Sequence, residues 1–214
     1  MPFVIHPRLP KRFRYAAVLA AAACFAAPAA AQAASEPTAT VKAFQAFGDS
    51  SDYFLAPNGG LESGSAGWQL TNASVVSGNE SYFVNAKSDT RSLSIAPGGR
   101  AVTSAICVDT TRTGFRFFAK QAVSATGPNL KVSILWVGPD GVTRNLSVDK
   151  LAGTNYRSWT PSRFWAPQLA AQLFQRLGLT AQDTASVRLV FQAENVAGPA
   201  WRVDDLFIDP FRSG

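Results

Sequence analysis

The sequence predicts an all-β protein, an antiparallel β-sandwich with one short amphipathic helix. Short segments in which apolar and polar residues alternate follow one another along the chain, and turns rich in Gly, Pro, Asn and Asp separate them. Alternation with period two is typical of strands that bury one face, and many short strands at this spacing indicate a sandwich or a barrel. One segment has leucines at helical spacing instead.

The first 34 residues predict a secretory signal peptide. Lys11, Arg12 and Arg14 precede an apolar, alanine-rich run, and the small-residue sequence AAAQAAS follows it. This order of basic, apolar and small-residue parts is typical of a cleaved export signal. The apolar run falls short of the roughly 20 residues of a membrane span. An uncleaved anchor and a lipoprotein attached through Cys24 are the alternatives.

Three regions of the chain follow from the signal. Residues 1–34 are the signal peptide, which is removed, residues 35–50 are an N-terminal extension, and residues 51–212 form a single β-sandwich domain. The mature chain has no further apolar run long enough to span a membrane. We therefore expect a secreted protein, extracellular or in the cell envelope.

Loss of the signal peptide changes the charge and the chemistry of the chain. Of 20 basic residues, Arg8, Lys11, Arg12 and Arg14 are lost, which leaves 16 scattered bases against 14 acids. A nearly neutral chain without a basic stripe does not suit nucleic acid. His6, the only histidine, is lost as well. This excludes Ser-His-Asp and Cys-His catalysis and zinc bound through histidine.

The alternating segments are the predicted strands. Turn sequences such as APGG at 96–99 and GPDG at 138–141 supply tight reversals between them. The predicted strands are residues 68–76, 80–86, 91–96, 101–108, 114–120, 130–138, 143–151, 186–194 and 200–209.

The segment PQLAAQLFQRLG breaks this alternation. It places Leu169, Leu173 and Leu177 at intervals of four residues and ends at Gly178. Leucines at this spacing with a terminal glycine predict an amphipathic helix near 167–177. The helix either covers one edge of the sandwich or serves as a lid or partner surface.

Strand alternation divides three strands into a core side and a polar side. The core side holds Phe115, Phe117, Val132, Ile134, Trp136, Val187, Leu189 and Phe191. The polar side holds Arg116, Phe118, Lys120, Lys131, Ser133, Arg188, Gln192 and Glu194. That side is either an ordinary solvated face or a face that binds a sugar, which needs hydrogen bonds to its hydroxyls and aromatic stacking.

The tryptophans fall into two groups. Those with apolar neighbours on strands are predicted to lie in the core: Trp68, Trp136 and Trp201. The segment NYRSWTPSRFW instead sets aromatics among polar residues, so its aromatics either pack or form a stacking platform. The ligand candidates are therefore Tyr156, Trp159 and Trp165 for stacking, and Arg116, Lys120 and Gln192 for hydrogen bonding.

Cys107 is the one cysteine of the mature chain and cannot form an internal disulfide. It lies in the apolar segment AVTSAICV. We expect a buried, inert thiol there, and a reactive thiol is the alternative.

Two motifs near the ends of the chain resemble a known family. NGGLESGSAGW at 58–68 resembles the opening of jelly-roll carbohydrate-binding modules, the galactose-binding-domain-like sandwiches. AWRVDDLFID at 200–209 resembles their last strand, and GFRFFAK at 114–120 resembles a middle strand. The resemblance covers residues 53–210. The two ends also resemble, more narrowly, a group of secreted bacterial proteins.

The resemblance implies a calcium ion that joins the first and last strands. By position, Glu62 matches the glutamate that holds this ion in the family, and Asp204 or Asp205 the aspartate. Calcium takes six to eight oxygen ligands, and Gly59 and Gly60 would let backbone oxygens approach. The alternative is that these carboxylates lie on the surface or accept hydrogen bonds from loop amides.

The resemblance also implies a non-catalytic domain that binds a polysaccharide or a cell-surface glycan. A structural or adhesive envelope protein without a sugar site is one alternative, and a carboxylate-based glycosidase or lyase is another. Asp204 and Asp205 are adjacent on a predicted strand, so we expect their side chains to point to opposite faces. No catalytic residue is therefore assigned.

Overall fold

A computed structural model describes most of the chain beyond the predicted signal. It describes residues 39–108, 114–121, 127–138, 140–163, 175 and 185–209. Contacts divide the chain into Met1–Gln32 and Ala33–Gly214, and every described residue belongs to the second unit. The predicted signal peptide, Trp165 and, apart from Gln175, the predicted helix lie outside the described residues.

Antiparallel strands make up the regular structure. The described residues form ten strands: β1 (Phe54–Leu55), β2 (Gln69–Ser77), β3 (Arg91–Val102), β4 (Ile106–Val108), β5 (Gly114–Gln121), β6 (Leu130–Val137), β7 (Thr143–Leu151), β8 (Thr160–Pro161), β9 (Ala185–Ala193) and β10 (Trp201–Asp209). Two 3-10 turns, Gln45–Phe47 and Gly153–Asn155, accompany them. The described part of the chain contains no helix that is long and apolar enough to cross a membrane. The predicted all-β antiparallel fold is confirmed.

A bend in β3 curls the sheet into two layers. The strand order is β7-β6-β9-β3-β10-β5-β8, with β2 on β3, β4 on β9 and β1 on β10. Leu93 and Ile95 pair with β10, whereas Arg100 to Val102 pair with β9. Between these halves, a Cβ on Gly99 would lie 2.3 Å from the Asn72 carbonyl oxygen, so only glycine fits the bend.

The main core lies between the layers, as strand alternation predicts. Phe191 on one layer meets Phe117 on the other with ring centroids 4.9 Å apart, and Trp68 packs on Phe191 at 6.1 Å. All eight predicted core side chains and the three predicted core tryptophans are buried. Burial of this many large apolar groups is the main stabilising contribution to the fold.

A second, smaller core covers the outer side of β5 and β10. The segment that precedes β1 folds over this side, and Phe44 stacks on Phe118 at 5.4 Å and meets Phe207 at 5.7 Å. A bridge between Val41 and Tyr53 closes the segment on itself. The cluster consists of Ala43, Phe44, Tyr53, Phe118, Trp159 and Phe207. Part of the predicted polar side of β5 is therefore buried.

The environment of Cys107 differs from the prediction of a buried thiol. Ile106 and Val108, its neighbours on β4, are buried. Because side chains alternate along a strand, Cys107 takes the outward position, and it is exposed and free. The prediction was wrong because an apolar segment was read as buried on both faces.

Candidate functional site

The opening loop is built around Asn58. Its side-chain amide donates to the backbone carbonyl oxygens of Gly64 and Ala66, both at 2.9 Å. Its backbone carbonyl oxygen accepts a hydrogen bond from the Trp68 indole N–H at 3.1 Å. A Cβ on Gly59 would lie 2.5 Å from the Leu206 carbonyl oxygen. The Asn-Gly-Gly sequence therefore fixes this loop directly against β10.

A bulge in β10 lies opposite this loop. The register with β5 shifts between Asp204 and Phe207, and Asp205 has φ 46°. Asp204 accepts a hydrogen bond from the Glu80 backbone at 2.8 Å, and Asp205 lies beside Asn85. Both carboxylates thus face the segment 79–90, hereafter the 79–90 loop. The prediction that they point to opposite faces was wrong, because the bulge interrupts the alternation.

Four carboxyl groups are buried around this bulge: Glu80, Asp89, Asp204 and Asp205. Burial, with Asp205 beside it, raises the pKa of Asp204 to about 9. Burial, with Glu80 and Asp89 beside it, raises the pKa of Asp205 to about 8, although the Asn85 backbone N–H opposes the rise. Among the described residues no Lys or Arg forms an ion pair with these acids. When it is ionised, the group therefore carries negative charge without an ion-pair partner among the described residues, although Arg202 interacts with Asp204 over a longer distance.

The carboxylates that the family resemblance implies as calcium ligands differ in their hydrogen bonding. Glu62 accepts hydrogen bonds from the Thr90 and Arg91 backbone, each at 2.8 Å. Asp204 accepts from the Glu80 and Asp205 backbone. Both carboxylates therefore already have partners. Asp205 is fully buried, and neither of its oxygens has a hydrogen-bond partner of good geometry.

The space beside Asp205 is lined by polar atoms. A Cβ on Gly60 would lie 3.1 Å from the Asp205 Oδ1 atom, 3.4 Å from the Asn85 amide and 3.7 Å from the Asp89 Oδ2 atom. Glycine thus leaves a space lined by polar atoms. In the described part of the chain no three His, Cys, Asp or Glu side chains form a metal-binding group. Amide and carbonyl oxygens, which calcium accepts, would have to complete the ligands.

The 79–90 loop also presents two exposed aromatic side chains. Tyr82 is 50% exposed and Phe83 44%. The buried Glu80 carboxylate accepts hydrogen bonds from the backbone of Tyr82 at 2.5 Å and of Val84 at 2.7 Å. Phe83 has φ 52°, which for a bulky residue costs about 1–3 kcal/mol. The loop is therefore held, against strain, in a form that exposes both rings.

We define the aromatic patch as Phe47 and Tyr82, whose rings are in contact, together with the exposed Phe83 that follows Tyr82 in the sequence. Tyr82 packs edge-on against Phe47 at 4.8 Å and tilted on Phe118 at 5.6 Å. Its hydroxyl donates to the Trp159 carbonyl oxygen at 3.4 Å. Lys120 lies beyond, with its ammonium 4.9 Å from the Trp159 ring centroid. The patch thus combines exposed aromatic faces with a nearby cationic donor.

Sequence reasoning missed this patch because it assigned residues 80–86 to a strand. In the structure these residues form a loop between β2 and β3. Glu80 is the reason, since its carboxylate takes the backbone N–H groups that a neighbouring strand would otherwise bind. The two adjacent aromatics in the otherwise mostly polar segment NESYFVN at 79–85 were the available signal.

Arg116, predicted to hydrogen-bond a ligand, is buried. Its guanidinium forms an ion pair with Asp49 at 2.7 Å and lies 4.1 Å from the Phe44 ring centroid. Its Nε atom donates to the Ser162 carbonyl oxygen at 3.1 Å. These contacts attach the N-terminal segment to β5 and leave Arg116 with a structural role.

The predicted stacking residues are also buried where they are described. Tyr156 packs edge-on against Trp201 at 5.7 Å, and Trp159 belongs to the second core. Burial raises the pKa of Tyr156 to about 12. Neither ring is exposed enough for a sugar to stack on it in this conformation, and Trp165 lies outside the described residues.

Gln192 lies apart from the other candidates, in a polar groove on the opposite layer. The groove has a volume of about 530 Å³ and is lined by Asn72, Pro97, Gly98, Lys131, Gln192 and Glu194. Glu194 forms ion pairs with Lys150 at 2.9 Å and Lys131 at 3.5 Å. Lys150 and the Asn129 amide lower the pKa of Glu194 to about 2. This groove is open and polar, without an aromatic ring among its lining residues.

The sequence matches no protein-family model and no curated protein, but the structure is similar to carbohydrate-binding modules. The CBM22-1 xylan-binding domain from Paenibacillus barcinonensis is 12% identical, with a TM-score of 0.44 over 69% of this chain and 88% of that domain. A C-terminal family 22 carbohydrate binding module of Clostridium thermocellum is 13% identical, with a TM-score of 0.46 over 75% of this chain and 96% of that module.

A third similar structure is TmCBM61 in complex with β-1,4-galactotriose. It is 15% identical, with a TM-score of 0.42 over 73% of this chain and 97% of that module. These are the kind of module that the two end motifs resemble, so the resemblance is confirmed as a similarity between structures. At such identities and scores it does not transfer a ligand or a binding residue to this chain.

Proposed function

We propose that this chain is a non-catalytic domain that binds a polysaccharide or a cell-surface glycan through the aromatic patch. The observation that carries the proposal is the strained 79–90 loop. A buried carboxylate and a left-handed Phe83 hold Tyr82 and Phe83 toward solvent. Strain at an exposed aromatic residue is common where a ligand contacts the protein.

The chemistry of the patch suits a sugar. Aromatic faces stack on the C–H faces of pyranose rings, and Lys120 donates hydrogen bonds to hydroxyls. The patch is shallow, so few apolar contacts offset the desolvation of hydroxyl groups. We expect affinities on the order of micromolar or weaker.

Two further observations support a non-catalytic role. Asp204 and Asp205, the acids considered for glycoside hydrolysis, are 1% and 0% exposed. Carboxylates that flank a glycosidic bond must reach the substrate. The solved modules with which the structure compares bind xylan or β-1,4-galactotriose, and these polysaccharide classes are the first to test.

Export and calcium belong to the same proposal. The basic, apolar and small-residue order of residues 1–34 supports export to the cell envelope or the medium. The buried Asp205 carboxylate, which has no hydrogen-bond partner of good geometry and lies beside Gly60, supports a bound calcium ion.

Electrophoresis of the full chain through gels that contain soluble xylan or β-1,4-galactan tests the glycan site. We expect the polysaccharide to retard the wild type, and Tyr82→Ala and Phe83→Gly to weaken this binding about five- to tenfold. Phe83→Gly should at the same time keep or raise the melting temperature, because glycine relieves the strain at φ 52°. Stability and binding thus change in opposite directions.

Val137→Ala is the matched control, since Val137 is an exposed apolar residue outside the patch, at 61% exposure. It should leave the retardation unchanged. Gln192→Ala distinguishes the polar groove from the patch, and it too should bind normally. If neither polysaccharide nor a wider glycan panel retards the wild type, the structural or adhesive alternative replaces this proposal.

A further inference from the structure

A row of basic and hydroxyl side chains crosses the layer that carries the aromatic patch. Strand register places Lys120 of β5 directly opposite Arg202 of β10. It also places Ser94 of β3 opposite Arg202, and Ser74 of β2 opposite Ser94. Neighbouring strands lie about 4.8 Å apart, so these four side chains form a row about 14–15 Å long on one face, hereafter the basic row.

The two bases of this row lack an acidic partner. Among the described residues neither Lys120 nor Arg202 forms an ion pair. Asp204 interacts with Arg202 only over a longer distance, and its carboxylate oxygens accept backbone N–H groups. Like charges directly opposite one another on adjacent strands destabilise a sheet. An anionic ligand would relieve this arrangement.

Both bases are held in place and still keep N–H groups for a ligand. The Lys120 ammonium lies 4.9 Å from the Trp159 ring centroid and makes no hydrogen bond to a described residue. Arg202 donates from Nε to the Ser92 hydroxyl at 3.2 Å, and from Nη2 to two backbone carbonyl oxygens just before the 79–90 loop, both at 2.9 Å. Its Nη1 atom has no hydrogen-bond partner in the described part of the chain.

The basic row lies beside the aromatic patch. Tyr82 packs on Phe118 with ring centroids 5.6 Å apart, and Phe118 and Lys120 are two residues apart on the same side of β5. Two residues along a strand span about 7 Å. A sugar that stacks on Tyr82 therefore brings its own substituents, or those of the next sugar, within reach of the basic row.

We propose that the glycan bound by the aromatic patch carries an anionic group, a carboxylate or a sulfate ester, and that Lys120 and Arg202 bind this group. The inference rests on the proposed function and names the class of glycan. Hydrogen bonds from a cation to an anionic oxygen are about twice as strong as those between neutral groups. Ser94 and Ser74 continue the row with hydroxyl groups, which suit the hydroxyls of the sugar.

Titration calorimetry of the full chain with matched acidic and neutral polymers tests this inference. One pair is a xylan that carries glucuronic acid and the same xylan after its carboxyl groups are reduced to alcohols. The other pair is dextran sulfate and dextran. In low salt the wild type should bind one acidic polymer about tenfold or more tightly than its neutral partner. Sodium chloride at about 0.5 M should remove most of this preference. The pair that shows the preference identifies the anion.

Charge-removing variants test the two bases. Lys120→Gln and Arg202→Gln should each weaken binding of the acidic polymer about three- to tenfold more than binding of its neutral partner. Lys120→Arg should retain most of the preference, because it keeps the charge. Lys131→Gln removes the same charge from the polar groove on the other layer and is the matched control. Arg202 also holds backbone carbonyl groups, so Lys120→Gln guards against a folding defect specific to Arg202→Gln.

The outcomes separate this inference from the proposed function. Equal affinity for the acidic and the neutral polymer of both pairs overturns the inference and leaves the proposed function standing. A preference that survives in Lys120→Gln and Arg202→Gln, or that Lys131→Gln removes, also overturns it, because the anion then binds elsewhere. If the two Gln variants lose the acidic polymer while Tyr82→Ala binds it as tightly as the wild type, the basic row is supported as the anion site and the aromatic patch of the proposed function is removed.

Discussion

Two acidic groups lie along β10, one at its bulge and one at its C-terminal end. They differ in whether a described base forms an ion pair with them. At the C-terminal end of β10, Asp209 lies near Asp49 and Asp52, and the guanidinium of Arg116 forms an ion pair with Asp49. At the bulge, Asp204 and Asp205 lie near Glu80 and Asp89, and no described base forms an ion pair with them. Only the group at the C-terminal end therefore has a cationic side chain, Arg116, as its ion-pair partner among the described residues.

The pKa values express the difference. Burial acts to raise the pKa of Asp49, but hydrogen bonds from Tyr53, Ser51 and Arg116 outweigh it and hold that pKa below its ordinary value. At the bulge, burial and neighbouring acids raise the pKa values of Asp204 and Asp205. The Asp49 carboxylate of the first group is therefore stabilised in its charged form by contacts within the fold. The second has no ion-pair partner among the described residues, and it lies against the 79–90 loop, which carries Tyr82 and Phe83.

Of the substitutions that test this difference, removal of the Arg116 side chain should change the free energy of unfolding most. Arg116→Ala leaves the Asp49 carboxylate without its cation and Phe44 without the guanidinium over its ring. Breaking a partly buried ion pair from one side costs up to about 3–5 kcal/mol, the range for fully buried pairs. Urea unfolding should show a loss of this size in the free energy of unfolding.

Arg116→Lys is the matched control for this substitution. Lysine keeps the charge but lacks the planar group that lies on Phe44, so we expect an intermediate loss. A loss below about 1 kcal/mol for Arg116→Ala would show that solvent neutralises Asp49. The two acidic groups would then not differ in the way described.

Strand alternation correctly predicted the buried side of the regular strands. Val132, Ile134 and Trp136 are buried because β6 is regular over these residues, and the same rule placed the core side of β5 and β9 correctly. The sandwich followed from these regular stretches and from the turns between them.

The rule fails where a residue other than glycine takes a left-handed conformation. Asp205 and Phe83 both do so, and nothing in the local sequence VDDLF or SYFVN indicates it. The Glu80 carboxylate holds the backbone on both sides of Phe83, and the Glu80 backbone is in turn held by Asp204, which is 124 residues away. The candidate site depends on these long-range contacts, so a local pattern could not reveal it.

The burial of the N-terminal segment had the same cause. Phe44 in VKAFQAF was not assigned to the core because its partner, Phe118, lies on the side of β5 that alternation predicts to be polar. Arg116 and Lys120 flank Phe118 in sequence and support that prediction. Only the fold shows that a second layer of chain covers this side.

A smaller effect concerns Asp209 and the pH dependence of stability. Burial, with Asp49 and Asp52 beside it, raises the pKa of Asp209 to about 6. The folded state thus binds this proton more tightly than the unfolded state, so stability falls as pH rises from about 4 to 6 and stays at the lower level above that. Asp209→Asn should raise the free energy of unfolding at pH 7 by about 1–2 kcal/mol.

The same substitution should have almost no effect at pH 4, where Asp209 is protonated in the folded protein. Urea unfolding at pH 4, 5, 6 and 7 measures the difference directly. A constant difference across this range would mean that the substitution acts through packing. Charge repulsion at the end of β10 would then not be its cause.

The smallest effect should come from Lys42, the other base near the first acidic group. Its ammonium lies 3.7 Å from Asp52, with both side chains 49% exposed, and donates to the Ser50 carbonyl oxygen at 2.8 Å. Solvent screens such a pair, so Lys42→Ala should change the free energy of unfolding by no more than about 0.5 kcal/mol. The change should vanish in high salt. A loss comparable to that of Arg116→Ala would mean that both bases are needed. The contrast between the two acidic groups would then depend on the number of cations nearby, whereas a small loss assigns it to the one buried guanidinium.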